Sequence, residues 1–197
     1  YVGVYTYAEV ISGYTAFYLG AKSIVPNLVM EVQFTGSWFD EAAEKSAAET
    51  LINNGASLIS QHADSLGAPA ACRENNVPNV AYNGSTADSC PETYITASRI
   101  NWIPYFEYMI DCVVNGDEIV DNWCGTLATG SVVVEELGKN AAEGTQAKLD
   151  EVKAKLMSGE LHVFDCNTFT VGGQTKTSAL ADVNGDFQPD TEAIENG

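Results

Sequence analysis

The chain has 197 residues, of which 45% are hydrophobic and 10% aromatic, so it can bury one sizeable core or two lobes of modest size. Nine Lys and Arg residues against 27 Asp and Glu residues give a formal net charge of -18. This composition excludes a disordered chain, and the charge excludes nucleic acid as a partner because a phosphate backbone would be repelled over most of the surface.

The first half of the chain alternates strand and helix patterns. The opening YVGVYTY is typical of a buried strand, and the segment that follows predicts a helix ended by Pro26. LVMEVQFT predicts a second strand, and the next segment predicts a helix with Asp40 as its N-cap and Gly55 beyond its C-terminus. SLIS and VPNVAY predict the third and fourth strands, with a short helix between them. This alternation predicts an α/β fold with a mostly parallel, Rossmann-like sheet covered by helices on both faces.

After Asn83 the pattern changes. TYITAS predicts a short strand, NWCGTLATGSVVVEELG a strand or hairpin, TQAKLDEVKAKLMSG an amphipathic helix, and LHVFDCNTFTVGG edge strands before a polar tail. Between the first two lies a predicted helix that stops at Gly116. The side chains spaced for its buried stripe are Ile103, Phe106, Ile110 and Val113. We predict that residues 1–84 form a ligand-binding lobe of βα repeats. Residues 85–197 then hold segments that cross between lobes, edge strands and the tail.

The residues after the predicted strands carry the chemistry of a binding site. In an open parallel sheet these residues gather along one edge, where such folds bind ligands. Here they combine aromatic rings, amides, hydroxyls and a carboxylate without any Lys or Arg, which favours a neutral, polar, ring-containing ligand over a phosphorylated one. The candidate ligand-binding residues at the strand ends are Ser37, Trp38, Gln61, Asp64, Tyr82 and Asn83. Trp102, at the start of a predicted helix, is a seventh candidate.

Other interpretations of these residues stay open. Trp38 is also suited to a core position, and Asp64 to capping the helix that follows it. The rival class is an enzyme, in which His62 and Asp64 would form an acid–base pair of a nucleoside-cleaving or other small-molecule hydrolase. The sequence contains no G-x-S-x-G elbow, phosphate loop or H-E-x-x-H motif.

We predict no metal ion and no cofactor. His62 has no second His or Cys at ligand spacing, and the five cysteines never form a C-x-x-C pair. Residues 182–190 follow the start of a calcium loop but have Phe187 in place of the turn glycine and Ala193 in place of the bidentate Glu. A solvated loop is therefore expected there.

Four segments of the chain resemble the basic membrane protein family of solute-binding lipoproteins, whose best understood members are purine-nucleoside receptors of ABC importers. These segments are GYTAFYLGAKSIVP, TGSWFDEAAEKSAAETLINNGASLISQHADS, NWIPYF and DFQPDTEAIENG, and the similarity runs over essentially the whole chain. The resemblance implies a type I periplasmic-binding-protein fold, two lobes that close on a ligand, an extracytoplasmic lipid anchor and an ABC permease as partner. It also implies that most of the family's first lobe is absent from this sequence.

The resemblance further implies that a neutral purine nucleoside or nucleobase binds in a cleft between the lobes. Nucleoside-binding members have an acidic residue just after the fourth strand, and that position falls on Ser85 here, with Asn83 nearby. They also have a Lys where this chain has SRINW. A free nucleobase or a related heterocycle therefore stays open as the ligand.

Overall fold

The computed structural model describes residues 1–164 and the backbone of residues 170–171 and 174–175. Strands and helices alternate through most of this range. In chain order the elements are β1 (Val2–Gly3), α1 (Ala8–Ile24), β2 (Gln33–Phe34), α2 (Glu41–Asn53), β3 (Ile59–Ser60), α3 (Gly67–Asn75), β4 (Asn79–Tyr82), β5 (Tyr94–Ile100), α4 (Ile103–Asn115), β6 (Val132–Val134), α5 (Thr145–Ser158), β7 (Thr170–Val171) and β8 (Gln174–Thr175).

The main sheet is parallel except at one edge. β1 pairs with β2, and β3, β4 and β5 pair in that order, all in parallel. The two groups join at β1, because the His62 N–H donates to the Val2 carbonyl at 2.9 Å and Val2 forms a parallel bridge to Gln61. β6 adds to β5 in the antiparallel sense. The resulting strand order is β2-β1-β3-β4-β5-β6. This order is doubly wound, because β2 is added on one side of β1 and the later strands are added on the other side.

Helices cover both faces of this sheet, as the sequence predicts. Val2 packs with Leu51 of α2 and Ala68 of α3 in the main buried cluster. Its neighbour Tyr1 contacts Tyr14 of α1, with ring centroids 6.0 Å apart. The crossovers β1-α1-β2 and β2-α2-β3 run in opposite directions across the sheet, and because such crossovers are right-handed, α1 lies on the opposite face from α2 and α3.

The predicted buried stripe on α4 is wrong for the part of the chain that the structure describes. Ile103 is 60% exposed, Phe106 51%, Ile110 60% and Val113 72%. Amphipathic spacing shows that one face of a helix needs an apolar partner, but it does not place that partner in the same chain. Within residues 1–164, α4 therefore presents an apolar face to solvent.

The remaining expectations concern the cysteines and the C-terminal part. Among the described cysteines, Cys72, Cys90 and Cys112 are buried, Cys124 is exposed, and none forms a disulfide. β7 lies in the segment predicted to hold edge strands, and it pairs in the antiparallel sense with β8, which lies just beyond that segment in the predicted tail. The fifth cysteine, Cys166, and the predicted loop at 182–190 lie outside the described residues. No helix in the described part of the chain has the length and apolar composition needed to cross a bilayer.

Candidate functional site

The segments that follow β2 and β3 are joined to each other. Asp40 caps α2 as predicted, and its Oδ1 accepts a hydrogen bond from the Ala43 N–H at 3.0 Å. The Asp64 N–H donates to the Trp38 carbonyl at 3.0 Å. These bonds place the segment around Trp38 directly beside the segment around Asp64. Asp64 itself does not cap α3, which has Leu66 at that position.

A depression of about 450 Å³ opens where β3 and β4 end. It brings together four of the seven predicted ligand-binding residues, Gln61, Asp64, Tyr82 and Asn83. None of the described residues that line it is Lys or Arg. We call Trp38, Asp64, Tyr82 and Asn83, together with the segments that carry them, the rim.

Backbone geometry directs Asn83 into this position. Asn83 adopts the left-handed conformation with φ of 58°, which Asn tolerates better than most residues, and its N–H donates to the Ser98 carbonyl at 2.7 Å. The chain thereby turns sharply at the end of β4. This turn brings Gly84 and Ser85 into the lining of the same depression.

The titratable groups of the depression favour neutral or hydrogen-donating ligands. Partial burial raises the pKa of Asp64 above its ordinary value. Burial also raises the pKa of Tyr82, with a further contribution from the negative charges of Glu9 and Asp64. Tyr82 is therefore a neutral hydroxyl at physiological pH, able both to donate and to accept a hydrogen bond.

Gln61 and His62 are more deeply placed than the rim. Gln61 is 3% exposed, and its Oε1 accepts a hydrogen bond from Asn79 Nδ2 at 2.8 Å. His62 is 6% exposed, lies 3.1 Å from the Tyr1 hydroxyl through Nδ1, and has its ring centroid 4.1 Å from that of Tyr82. Burial lowers the pKa of His62 to about 4. None of the hydrogen bonds found within residues 1–164 joins His62 to Asp64, so this geometry does not form the pair that a hydrolase would need.

Aromatic rings cluster around Trp38, which is not among the residues that line the depression. Trp38 is partly buried against the main core, and its ring lies 5.9 Å from Tyr5 and 6.2 Å from Tyr7. Tyr5 and Tyr7 stack on each other at 5.0 Å. Ser37, another predicted ligand-binding residue, does not line the depression either, and its carbonyl accepts a hydrogen bond from Thr35 Oγ1 at 2.8 Å. Trp38 therefore packs against the core, as one of the two interpretations of the sequence predicts, and its role in ligand binding stays a prediction.

Trp102 lies apart from the residues of the depression. It is 56% exposed and lines a second, smaller depression of about 280 Å³ together with Tyr105 and Trp123. The seven candidates did not include Ser65, which lines the first depression, or Glu44, which accepts a hydrogen bond from the Ser65 N–H. Ser65 follows β3 and was recognisable by position, whereas Glu44 had no signal beyond its place in the first turn of α2.

Doubly wound parallel sheets bind ligands in the crevice where their strands end, so the depression lies where a ligand-binding protein of this fold has its site. The model of the Bmp family, described as ABC transporter substrate-binding protein PnrA-like, matches residues 1–166. The chain therefore belongs to the Bmp family of PnrA-like ABC transporter substrate-binding proteins, and the family resemblance of the sequence is confirmed.

Relatives of known description agree with this assignment. The chain is 30% identical over 165 residues to a purine-binding protein of Brucella abortus, covering 83% of this chain and 47% of that protein. It is 25% identical over 169 residues to a candidate ABC transporter glucose-binding protein of Haloferax volcanii, covering 86% of this chain and 43% of the relative. The chain thus spans about half the length of the curated relatives that it matches.

A solved structure supports the fold. An ABC transporter solute-binding protein of Conexibacter woesei superposes with a TM-score of 0.65 at 22% identity, covering 83% of this chain and 57% of that structure. The type I periplasmic-binding-protein-like α/β fold predicted from the sequence is confirmed.

Proposed function

We propose that this chain supplies one lobe of the extracytoplasmic solute-binding component of an ABC importer. The complete protein holds a neutral purine nucleoside or nucleobase in a cleft between two lobes and delivers it to a membrane permease. The observation that carries the proposal is the strand-end depression with its carboxylate, amide and hydroxyl groups and without a cation, in a chain of the PnrA-like family. The purine-binding name of the Brucella abortus relative supports the choice of ligand.

The groups of the rim suit a heterocycle. The Asp64 carboxylate accepts hydrogen bonds from ring N–H or hydroxyl groups, and the Asn83 amide reads donors and acceptors at a ring edge. Trp38, with Tyr5 and Tyr7 beside it, offers flat surface for stacking. A phosphorylated ligand would meet the Asp64 carboxylate with no cation among the described lining residues, so we expect it to be rejected.

The apolar face of α4 supports an arrangement in two lobes. Ile103, Phe106, Ile110 and Val113 are each more than half exposed in the described chain. Contiguous apolar surface of this kind marks an interface in soluble proteins. We propose that this apolar face packs against the second lobe. In that arrangement residues 1–84 form the ligand-binding lobe, and residues 85–197 hold the segments that cross between the lobes. We also propose that a lipid anchor holds the complete protein at the outer face of the cytoplasmic membrane.

A hydrolase is the second candidate, and the arrangement of His62 disfavours it. A general base must reach the proton that it removes, whereas His62 is buried against Tyr1 and Tyr82 and has a lowered pKa. Incubation of the complete protein with purine nucleosides, followed by chromatography for released base, separates the two classes. Binding without turnover is the result we expect.

Calorimetry on the two-lobe protein tests the receptor function. The panel contains adenosine, guanosine, inosine, their free bases and their monophosphates. We expect the neutral compounds to bind more tightly than the monophosphates, and Trp38→Ala to cost about 1–3 kcal/mol of binding free energy through lost stacking. Tyr18→Ala is the matched control, because Tyr18 contacts Lys22 on α1 and is not among the residues of the rim. Trp102→Ala tests the seventh candidate separately.

Tightest binding of the monophosphates would contradict the proposed chemistry. Unchanged affinities in Trp38→Ala, or equal losses in Trp38→Ala and Tyr18→Ala, would place the ligand elsewhere.

A further inference from the structure

Glu44 is a fully buried carboxylate. It lies in the first turn of α2 and is 0% exposed. None of the ion pairs found in residues 1–164 includes it. A carboxylate removed from water is costly unless hydrogen bonds replace its hydration. Here the replacements are backbone N–H groups, so the position of Glu44 depends on the segments that supply them.

The carboxylate joins two segments of the rim. Glu44 Oε1 accepts a hydrogen bond from the Asp40 N–H at 3.1 Å, and Oε2 accepts one from the Ser65 N–H at 3.2 Å. The Ser65 N–H also lies 3.3 Å from Oε1, so the two oxygens share it. One end of this link belongs to the segment that carries Trp38, and the other to the segment that carries Asp64.

Helix capping explains only half of this arrangement. A Glu near the start of a helix commonly bonds back to the N-cap N–H, and it does so on an exposed helix as well. The bond to Ser65 reaches a residue 21 positions away, and it does not contribute to the cap. The close crossing of α2 and α3 buries the carboxylate, since a Cβ atom at Gly67 would lie 2.9 Å from Glu44 Cβ.

The consequence falls on Asp64. Its own N–H donates to the Trp38 carbonyl at 3.0 Å, and the next N–H, that of Ser65, is bound by Glu44. Ser65 Oγ in turn accepts a hydrogen bond from the Gly67 N–H at 3.1 Å. The N–H groups of Asp64 and Ser65, which lie on either side of the Asp64 Cα atom, are thus both hydrogen-bonded. These bonds fix the backbone from which the Asp64 side chain projects into the depression.

We propose that Glu44 is a positioning residue for the ligand, acting through the Asp40 and Ser65 amides to hold the Trp38 and Asp64 segments in register. This inference rests on the proposed function, because it assumes that the rim binds the ligand. Glu44 does not touch the ligand itself. Its role is to preorganise the stacking surface and the carboxylate with respect to each other.

Glu44→Gln tests this role with little change of shape. Glutamine has one acceptor oxygen, and its NH₂ group is a donor, so it satisfies one of the two amides and confronts the other with a second donor. In the two-lobe protein we expect the neutral heterocycle that binds wild type most tightly to lose at least about tenfold in affinity, the scale of one charge-assisted hydrogen bond. Leu51→Ala is the control, because Leu51 is 1% exposed on the same helix and none of the hydrogen bonds found within residues 1–164 joins it to the Trp38 or Asp64 segment. Leu51→Ala should lower the melting temperature. At a temperature well below the melting temperatures of wild type and variant, its affinity should stay within about twofold of wild type.

Amide hydrogen exchange supplies a readout that does not depend on any ligand. In wild type the Asp40 and Ser65 amides should be protected, and in Glu44→Gln at least one of them should exchange faster while the Ala48 amide in the middle of α2 stays protected. Glu44→Met removes the acceptor without adding a donor and serves if the Gln variant does not fold.

Several results would overturn the proposal. These are free exchange of both amides in wild type, unchanged exchange or affinity in Glu44→Gln, or an equal loss of affinity in Leu51→Ala. If wild type bound no compound of the panel, the proposed function would fail, whereas the exchange data would still decide whether Glu44 holds the two segments together.

Discussion

Replacing Gly67 by alanine tests the close approach of α2 and α3 on which the rim depends. A Cβ atom at this position would lie 2.3 Å from the Glu41 carbonyl oxygen and 2.9 Å from the Lys45 nitrogen. Both are backbone atoms of α2, so the contact cannot be relieved by rotating a side chain. Overpacking of this kind costs about 1–3 kcal/mol of unfolding free energy. For a chain of this size that cost lowers the melting temperature by roughly 2–12 °C.

Gly20→Ala is the matched control and should have the opposite sign. Gly20 also lies in a helix, α1, but beyond that helix's own backbone no heavy atom of residues 1–164 lies within 4 Å of the position of an added Cβ. Alanine in place of an unobstructed glycine stabilises a protein by about 0.4–1 kcal/mol, because it restricts the unfolded chain. Urea unfolding followed by circular dichroism gives the change in unfolding free energy for Gly67→Ala and for Gly20→Ala. The comparison requires the same denaturant dependence of the free energy in wild type and in both variants.

The outcome separates packing from helix propensity. Propensity alone predicts that both substitutions stabilise, whereas the structure predicts that only Gly20→Ala does. If Gly67→Ala were as stable as wild type, α2 and α3 could not cross as closely as described, and the link from Glu44 to Ser65 would lose its structural basis.

Two further predictions concern His62 and α4. Burial lowers the pKa of His62 to about 4 in the folded chain, whereas an unfolded chain has the ordinary His pKa of about 6.5. Between these two pH values the unfolded chain binds more protons than the folded chain. The free energy of unfolding therefore decreases as the pH falls from about 6.5 toward 4, by at most about 1.4 kcal/mol per pH unit. Urea unfolding at pH 7, 6 and 5 should show that His62→Gln reduces this slope, and an unchanged slope would contradict the burial of the ring. Ile110 is 60% exposed, so Ile110→Asp should change the unfolding free energy of this chain by less than about 0.5 kcal/mol. A loss above 2 kcal/mol in the same assay would show that α4 is covered within the chain.

The parallel sheet was predictable from the sequence because its signals are local. The predicted strands are short apolar runs, and some helices begin or end at a recognisable residue, such as α2 at Asp40 and α4 at Gly116. Alternation of the two leaves few topologies. The meeting of Asp64, Tyr82 and Asn83 follows from the same reasoning, since parallel strands end at one edge. Their role in binding stays a prediction.

The features that the sequence did not predict depend on tertiary contacts. Glu44 lies in the first turn of a helix, where an acidic residue is favourable through the helix dipole and is normally solvated. Nothing in the sequence pattern indicates that α3 covers this turn or that the Ser65 amide lies within reach. A helical period brings Ala47 and Leu51 to one apolar face of α2, but a period cannot show that a charged residue on the same helix is buried as well.

The rim and the α4 face differ in what they require from a second lobe. Polar groups of the rim hydrogen-bond to water when the depression is open, so exposure of the rim alone costs the chain little. The apolar side chains of α4 gain free energy only when they are covered. In the proposed two-lobe protein, packing on α4 therefore stabilises the association of the lobes whether or not ligand is present. The ligand then needs to supply only the smaller free energy of closing the rim, and the affinity of the closed state depends on how well Asp64 and Trp38 are already placed.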